Sequence, residues 1–250
     1  MALLTPMLRI NNLYKRYSGA EQAAVDGLNA SFQKGQIVGL LGPNGAGKTT
    51  TLSIVCGLIG DYAGEISILG LDRRTHMHEL LQRISLVPQQ IALYPNLSCR
   101  ENLCYIGRMY RIPEKLLQER INALLEQFDL AHHADKQIRY YSGGMKRRAN
   151  IMAGLLHEPE LLILDEPTAG VDVQSRSMIL DFLRTYRDQG RSVIYTSHLL
   201  DEAEAICEDI LIIDHGKPII QGAPKDLVAA HGARNLEALF LHLTGHHVRD

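Results

Sequence analysis

The stretch GPNGAGKTT, residues 42–50, fits the pattern G-x-x-x-x-G-K-[ST] and limits the fold more than any other feature of the chain. The apolar run QIVGLLG leads into it, and a helical pattern follows it. Strand, glycine loop and helix in that order make a cradle for phosphate. The backbone of Gly42, Pro43, Asn44, Gly45, Ala46 and Gly47 wraps so that its N–H groups, which Pro43 alone lacks, converge, and the helix beginning near Gly47 adds its positive end. Lys48 can neutralise the β- and γ-phosphates, the hydroxyl of Thr49 suits Mg2+, which takes hard oxygen ligands, and Thr50 completes the turn. The competing reading is a glycine turn that fits by accident. With glycine near ~7% of residues, such a match arises on the order of once in a hundred chains of this size, and the strand and helix around it lower that further.

Short apolar runs recur at residues 36–42, 161–166 (LLILDE), 192–197 (SVIYTS) and 209–216 (DILIIDHG), with helical patterns between several of them. That alternation predicts an α/β sheet with parallel members. IDHGKPII reads as a hairpin around His215 and Gly216. From about residue 88 to 139 the texture changes. Ser98 and Glu101 form a capping box, and Pro113 opens a helix whose Leu117, Ile121, Leu124, Leu125 and Phe128 make a core-facing stripe. After Pro224 the chain turns helical again. The expected organisation is one domain over 1–250: an α/β core from 1–88 and 159–225, a helical subdomain at 89–158, and a helical tail at 226–250.

LLILDEPTAGVD places Asp165 and Glu166 where a buried strand ends, the end at which a parallel sheet gathers ligands. Adjacent acids on a strand point opposite ways, so their joint use requires the chain to turn here, and Pro167 supports that. Alone, such a pair is as often a plain strand exit. Beside a phosphate loop it reads as a nucleoside triphosphatase, with Asp165 in the Mg2+ shell through a water and Glu166 polarising the attacking water.

A second glycine pair, in YSGGMKRR, looks like another phosphate-binding helix start in a chain that already has one. Lys146, Arg147 and Arg148 then fall in the first helical turn, where cations oppose the helix dipole, and they read as a solvated basic face. The 46% hydrophobic and 22% charged residues describe a globular chain, and a net charge of −2 gives no basic field for nucleic acid. Cys56, Cys99, Cys104 and Cys207 lack ligand spacing and read as free, mostly buried thiols in a reducing compartment. No apolar run reaches the ~18–20 residues of a membrane helix, and no leader is expected. His242, His246 and His247 in the tail read as solvated residues rather than metal ligands.

Taken in order, GPNGAGKTT, LVPQQ, YSGGM, LLILDEP, AGVD and YTSH resemble the nucleotide-binding subunit of ABC transporters over nearly the whole chain. The resemblance implies a P-loop NTPase (RecA-like) core with a small antiparallel β part and an inserted α-helical subdomain. It implies that Tyr17 stacks on adenine, although by itself Tyr17 reads as an ordinary strand tyrosine. It places Gln89 rather than Gln90 as sensor of Mg2+ and γ-phosphate and as link to the transmembrane partner. His198, by itself an ordinary histidine after a strand, becomes the γ-phosphate switch, and Asp172 the residue that communicates across a dimer. Ser142, Gly143 and Gly144 then face the γ-phosphate held by a second copy. Val173 stands where the family carries proline, Met145 where it carries glutamine, and Tyr141 where it carries leucine.

The function so implied is an ATP-hydrolysing subunit, with ATP and Mg2+ as cofactors, that dimerises with itself or a paralogous ATPase subunit. It would sit on the cytoplasmic face of the membrane, without spanning it, and drive separate permease subunits. YSGGMKRR, PTAGVD and LEALFLHLTG resemble the branch serving ABC-2 type exporters. The alternatives are a soluble ATPase of the same family acting on ribosomes or DNA, which the charge disfavours, and a partner that binds ATP without turnover. Intact Lys48, Asp165, Glu166 and His198 disfavour the second.

Overall fold

The computed structural model describes residues 5–245. Strands β1 (Leu8–Lys15) and β2 (Val25–Phe32) alternate buried and exposed positions, whereas β3 (Ile37–Leu41) is buried throughout. Helix α1 (Lys48–Val55), β4 (Ala63–Ile68), β5 (Leu71–Asp72), α2 (Met77–Leu80) and β6 (Ile84–Val87) follow. Three longer helices come next: α3 (Cys99–Met109), α4 (Glu114–Gln127) and α5 (Gly143–Leu155). The chain returns through β7 (Leu161–Asp165), α6 (Val173–Asp188), β8 (Ser192–Thr196), α7 (Leu200–Ile206), β9 (Asp209–Asp214) and β10 (Lys217–Gly222). It finishes with α8 (Pro224–Ala230) and α9 (Leu236–Thr244).

Two sheets result. One is antiparallel, in the order β2-β1-β4-β5, and the other runs β10-β9-β3-β8-β7-β6. The second is parallel except at its β10 edge. Strands β3, β7, β8 and β9 are covered on both faces, which is why they read as continuous apolar runs, whereas β10 at the edge is half-buried. Side chains alternate between the two cores. Ile37, Leu41, Leu162, Leu164 and Ile212 join the helical core, while Val38, Leu40, Leu161, Ile163 and Leu211 join the core under α1 and the antiparallel sheet.

The register positions the site. Leu40 of β3 and Asp165 of β7 both pair with Thr196 of β8, so the loops leaving these three strands emerge side by side. The hairpin at His215 and Gly216 is present, with Asp214 opposite Lys217 and positive φ at both turn residues. The capping box of Ser98 and Glu101 is present too, and Leu117, Ile121, Leu125 and Phe128 are buried as expected. The expected strands end one or two residues early. At 161–166 this is because Glu166 adopts φ 48 and leaves the ladder. Tyr17 is not a strand residue: β1 stops at Lys15, and Tyr17 lies in the following loop, 45% exposed.

Candidate functional site

The end of β3 sets the phosphate loop. Gly47 has φ 101, and a Cβ there would sit 2.2 Å from the Ala24 carbonyl oxygen, so glycine alone fits where the loop enters α1. Lys48 is buried, and its Nζ donates to the carbonyls of Gly42 (2.7 Å) and Pro43 (3.1 Å). Burial pulls its pKa below the usual lysine value, while the nearby Glu166 and Asp165 carboxylates push the other way.

At the end of β7, the Asp165 carboxylate accepts from Thr49 Oγ1 (3.3 Å) through one oxygen and from Thr196 Oγ1 (2.7 Å) through the other. Thr196 Oγ1 also accepts from the Glu166 amide at 2.9 Å. One buried hydroxyl on β8 therefore fixes both acids. The φ of Glu166 breaks the alternation that would send it away from Asp165, at a cost of about 1–3 kcal/mol for a non-glycine residue. Its Oε2 accepts from Gln89 Nε2 (2.8 Å) and lies 3.3 Å from His198 Nδ1.

The phosphate loop, Gln89, Glu166 and His198 line a single cleft of about 650 Å³, within the range for small-molecule sites. Gln90 is not among its lining residues. Tyr17 stands at the side of α1, its hydroxyl 3.3 Å from Thr50 Oγ1 and Lys15 Nζ over its ring at 5.2 Å. A smaller cavity, about 230 Å³ between α4 and α6, lies around Arg120 and Tyr186, away from these groups.

Residues 142–144 do not line the cleft. Ser142 caps α5, accepting from the Met145 amide at 3.2 Å, and Ser142 and Gly143 are exposed while Gly144 is buried. Gly144 packs on the start of α6, which Asp172 caps by accepting from the Ser175 amide at 2.9 Å. That cap, with the Ser175 side chain, holds the Asp172 carboxyl below its usual pKa. Val173 is exposed, and Met145 packs against the helical core.

Two of the three cations after the glycines, Arg147 and Arg148, do not belong to a solvated face. Arg147 is only 5% exposed and donates to the Pro88 carbonyl at 3.1 Å, and Arg148 donates to the Phe128 carbonyl at 2.6 Å. The helix needs cations long enough to reach carbonyls left open by the neighbouring loops. The sequence reading missed Thr196; its only signal was a polar residue ending an apolar strand two places before His198. Cys56, Cys99 and Cys207 are buried and Cys104 is half-buried, all four free. His242 is exposed, His246 and His247 lie outside the described residues, and no metal-binding cluster of His, Cys, Asp or Glu occurs among the described residues.

Residues 25–169 match the sequence family described as "ABC transporter". The linearmycin resistance ATP-binding protein LnrL of Bacillus subtilis is 44% identical over 90% of this chain and 72% of its own length. A Nod factor export ATP-binding protein I of Ralstonia nicotianae is 41% identical over 90% of this chain and 69% of its own. A solved structure of an ATP-binding subunit of an ABC transporter superposes with a TM-score of 0.85 at 28% identity, covering 95% of this chain and 99% of that one.

Proposed function

The chain belongs to the ABC transporter family of ATP-binding proteins, and on that premise we propose that it hydrolyses ATP between two copies and so powers export through separate membrane subunits. The observation that carries this reading is the convergence of Gln89 and His198 on one oxygen of Glu166, beside the phosphate loop.

In this mechanism residues 42–50 cradle the phosphates, and Lys48 swings from the loop carbonyls to the β- and γ-phosphate oxygens. Tyr17 supports the base. Glu166 accepts a proton from a water whose oxygen bonds to the γ-phosphorus as the bond to the β–γ bridging oxygen breaks, releasing ADP and phosphate. His198 donates to the γ-phosphate, and Gln89 keeps the Glu166 carboxylate aimed.

The donor set fits Mg2+. Thr49 and Asp165 present oxygens within 3.3 Å of each other, and Gln89 spends its amide nitrogen on Glu166, leaving its oxygen for a cation. Bound there, Mg2+ would offset charge on the β- and γ-phosphates. Residues 142–144 of a second copy supply the other wall, since an exposed helix start is an anion site.

No helix among the described residues is long and apolar enough to cross a membrane. We assign the cargo path to permease subunits and the chain to a peripheral place on the cytoplasmic face. Export follows the relatives named for resistance and for Nod factor export. Exposed Tyr94, Tyr105 and Met109, just after Gln89 in the chain, offer an apolar face for attachment. Fractionation of producing cells tests this: the chain should travel with membranes, and recovery with polysomes but never with membranes would favour an ATPase acting on ribosomes.

A further inference from the structure

Strand β8 ends beside the cleft, and its last two side chains face opposite ways. Thr196 turns to Asp165 and the Glu166 amide. Tyr195 turns to the helical side, is fully buried, and meets a carboxylate that the hydrolytic chemistry does not use: Glu202, in the first turn of α7 and 4% exposed. Glu202 Oε2 accepts from the Tyr195 hydroxyl and from Thr168 Oγ1 (2.6 Å), and these two hydroxyls lie 3.2 Å apart. Its other oxygen lies 3.1 Å from Arg176 Nε on α6, an ion pair without the alignment of a hydrogen bond. Burial and the Glu202 carboxylate together push the Tyr195 hydroxyl to a higher pKa, so it stays a donor.

A buried carboxylate is a costly way to fill a core, because apolar side chains of similar volume are often as stabilising. The partners of Glu202 suggest what it does instead. Thr168 is two residues beyond Glu166, and Glu202 is four residues beyond His198. Arg176 is one turn beyond Asp172, its amide donating to the Asp172 carbonyl at 2.9 Å. Its side chain is 34% exposed, so the outer end of the chain of contacts reaches the surface.

We propose that Glu202, with Tyr195, Thr168 and Arg176, forms a strut of positioning residues that passes a displacement of Asp172 by the second copy on to His198, so that seating that copy adjusts His198 within a cleft one chain already forms. This rests on the roles assigned above to Asp172 and His198. The strut is stiff because parting Glu202 from its partners would leave a buried charge unpaired, so α6, α7 and the loop after Glu166 move together or not at all.

The test is a cycle of variants in the full-length chain, read as kcat and KM for MgATP with melting temperature alongside. Glu202→Gln keeps an acceptor for the two hydroxyls but turns an amide toward Arg176. Arg176→Gln cuts the same link from the half-exposed end and serves where Glu202→Gln folds poorly. Each should lower kcat about tenfold with KM within twofold, and Arg176→Lys should recover most of the loss. Combined with Asp172→Ala, either should be no slower than the slower single variant. Losses that multiply, about a hundredfold together, would overturn the strut, as would a raised KM at unchanged kcat. Full turnover by Asp172→Ala beside a slow Glu202→Gln would overturn the role of Asp172, and the relay with it.

Discussion

The two glycines of YSGGM sit side by side, and the structure gives them different jobs. A methyl group on Gly144 would lie 2.3 Å from Ser175 Oγ and 2.6 Å from Asp172 Oδ2, the pair that opens α6. On Gly143 the nearest atom would be the Gly170 carbonyl oxygen at 3.7 Å, an ordinary contact. Gly144→Ala therefore forces α5 off α6, at about 1–3 kcal/mol for overpacking. Loss of the Asp172 cap adds about 1 kcal/mol, offset by up to ~1 kcal/mol from the better helix propensity of alanine. The net loss of about 1–3 kcal/mol corresponds, near its middle, to a fall of roughly 4–8 °C in a domain of this size. Gly143→Ala should keep the melting temperature or raise it slightly, yet cut ATP turnover at least tenfold by placing a methyl where a second copy's nucleotide must approach. Thermal unfolding by circular dichroism, with phosphate release measured on the same samples, separates the two. Equal melting of Gly144→Ala and the unaltered chain would refute the packing argument, and full turnover by Gly143→Ala would refute the trans site.

Two further outcomes test the cleft and the core. Thr196→Val removes the hydroxyl shared by Asp165 and the Glu166 amide; turnover should fall by tenfold or more while nucleotide affinity changes little, and unchanged turnover would show that Glu166 is held by other means. Burial pushes the Cys56 thiol up to about 12 and Cys99 to about 11. At pH 8 roughly one Cys56 in ten thousand is then a thiolate, the reactive form, so iodoacetamide should modify half-buried Cys104 first. Peptide mapping that finds Cys56 labelled as fast as Cys104 would contradict this burial.

The phosphate loop, the parallel strands, the hairpin and the capping box were legible because each is written locally: glycines at fixed offsets, unbroken apolar runs, a Ser-x-x-Glu. The antiparallel sheet was not, as a set of strands. β1 and β2 alternate, but LRINNLYK and VDGLNASF carry polar residues and register shifts that blur the period. β6 is only four residues long and hides before Pro88. The same limit applied to the site. Lys48, Glu166 and His198 stand in recognisable words, whereas Thr196 matters only because β8 lies between β3 and β7, a fact of register. Arg147 was misread for the converse reason: charge in a sequence signals solvent until a carbonyl such as that of Pro88 is found within its reach.

In the proposed cycle ATP closes two copies of this chain on each other and Glu166 lets them part. Glu166→Gln keeps the shape of the side chain and removes the base. Light scattering of this variant during size exclusion in saturating MgATP should give twice the protomer mass, returning to the protomer mass when nucleotide is removed. A single protomer mass in saturating MgATP, with nucleotide bound, would contradict the account.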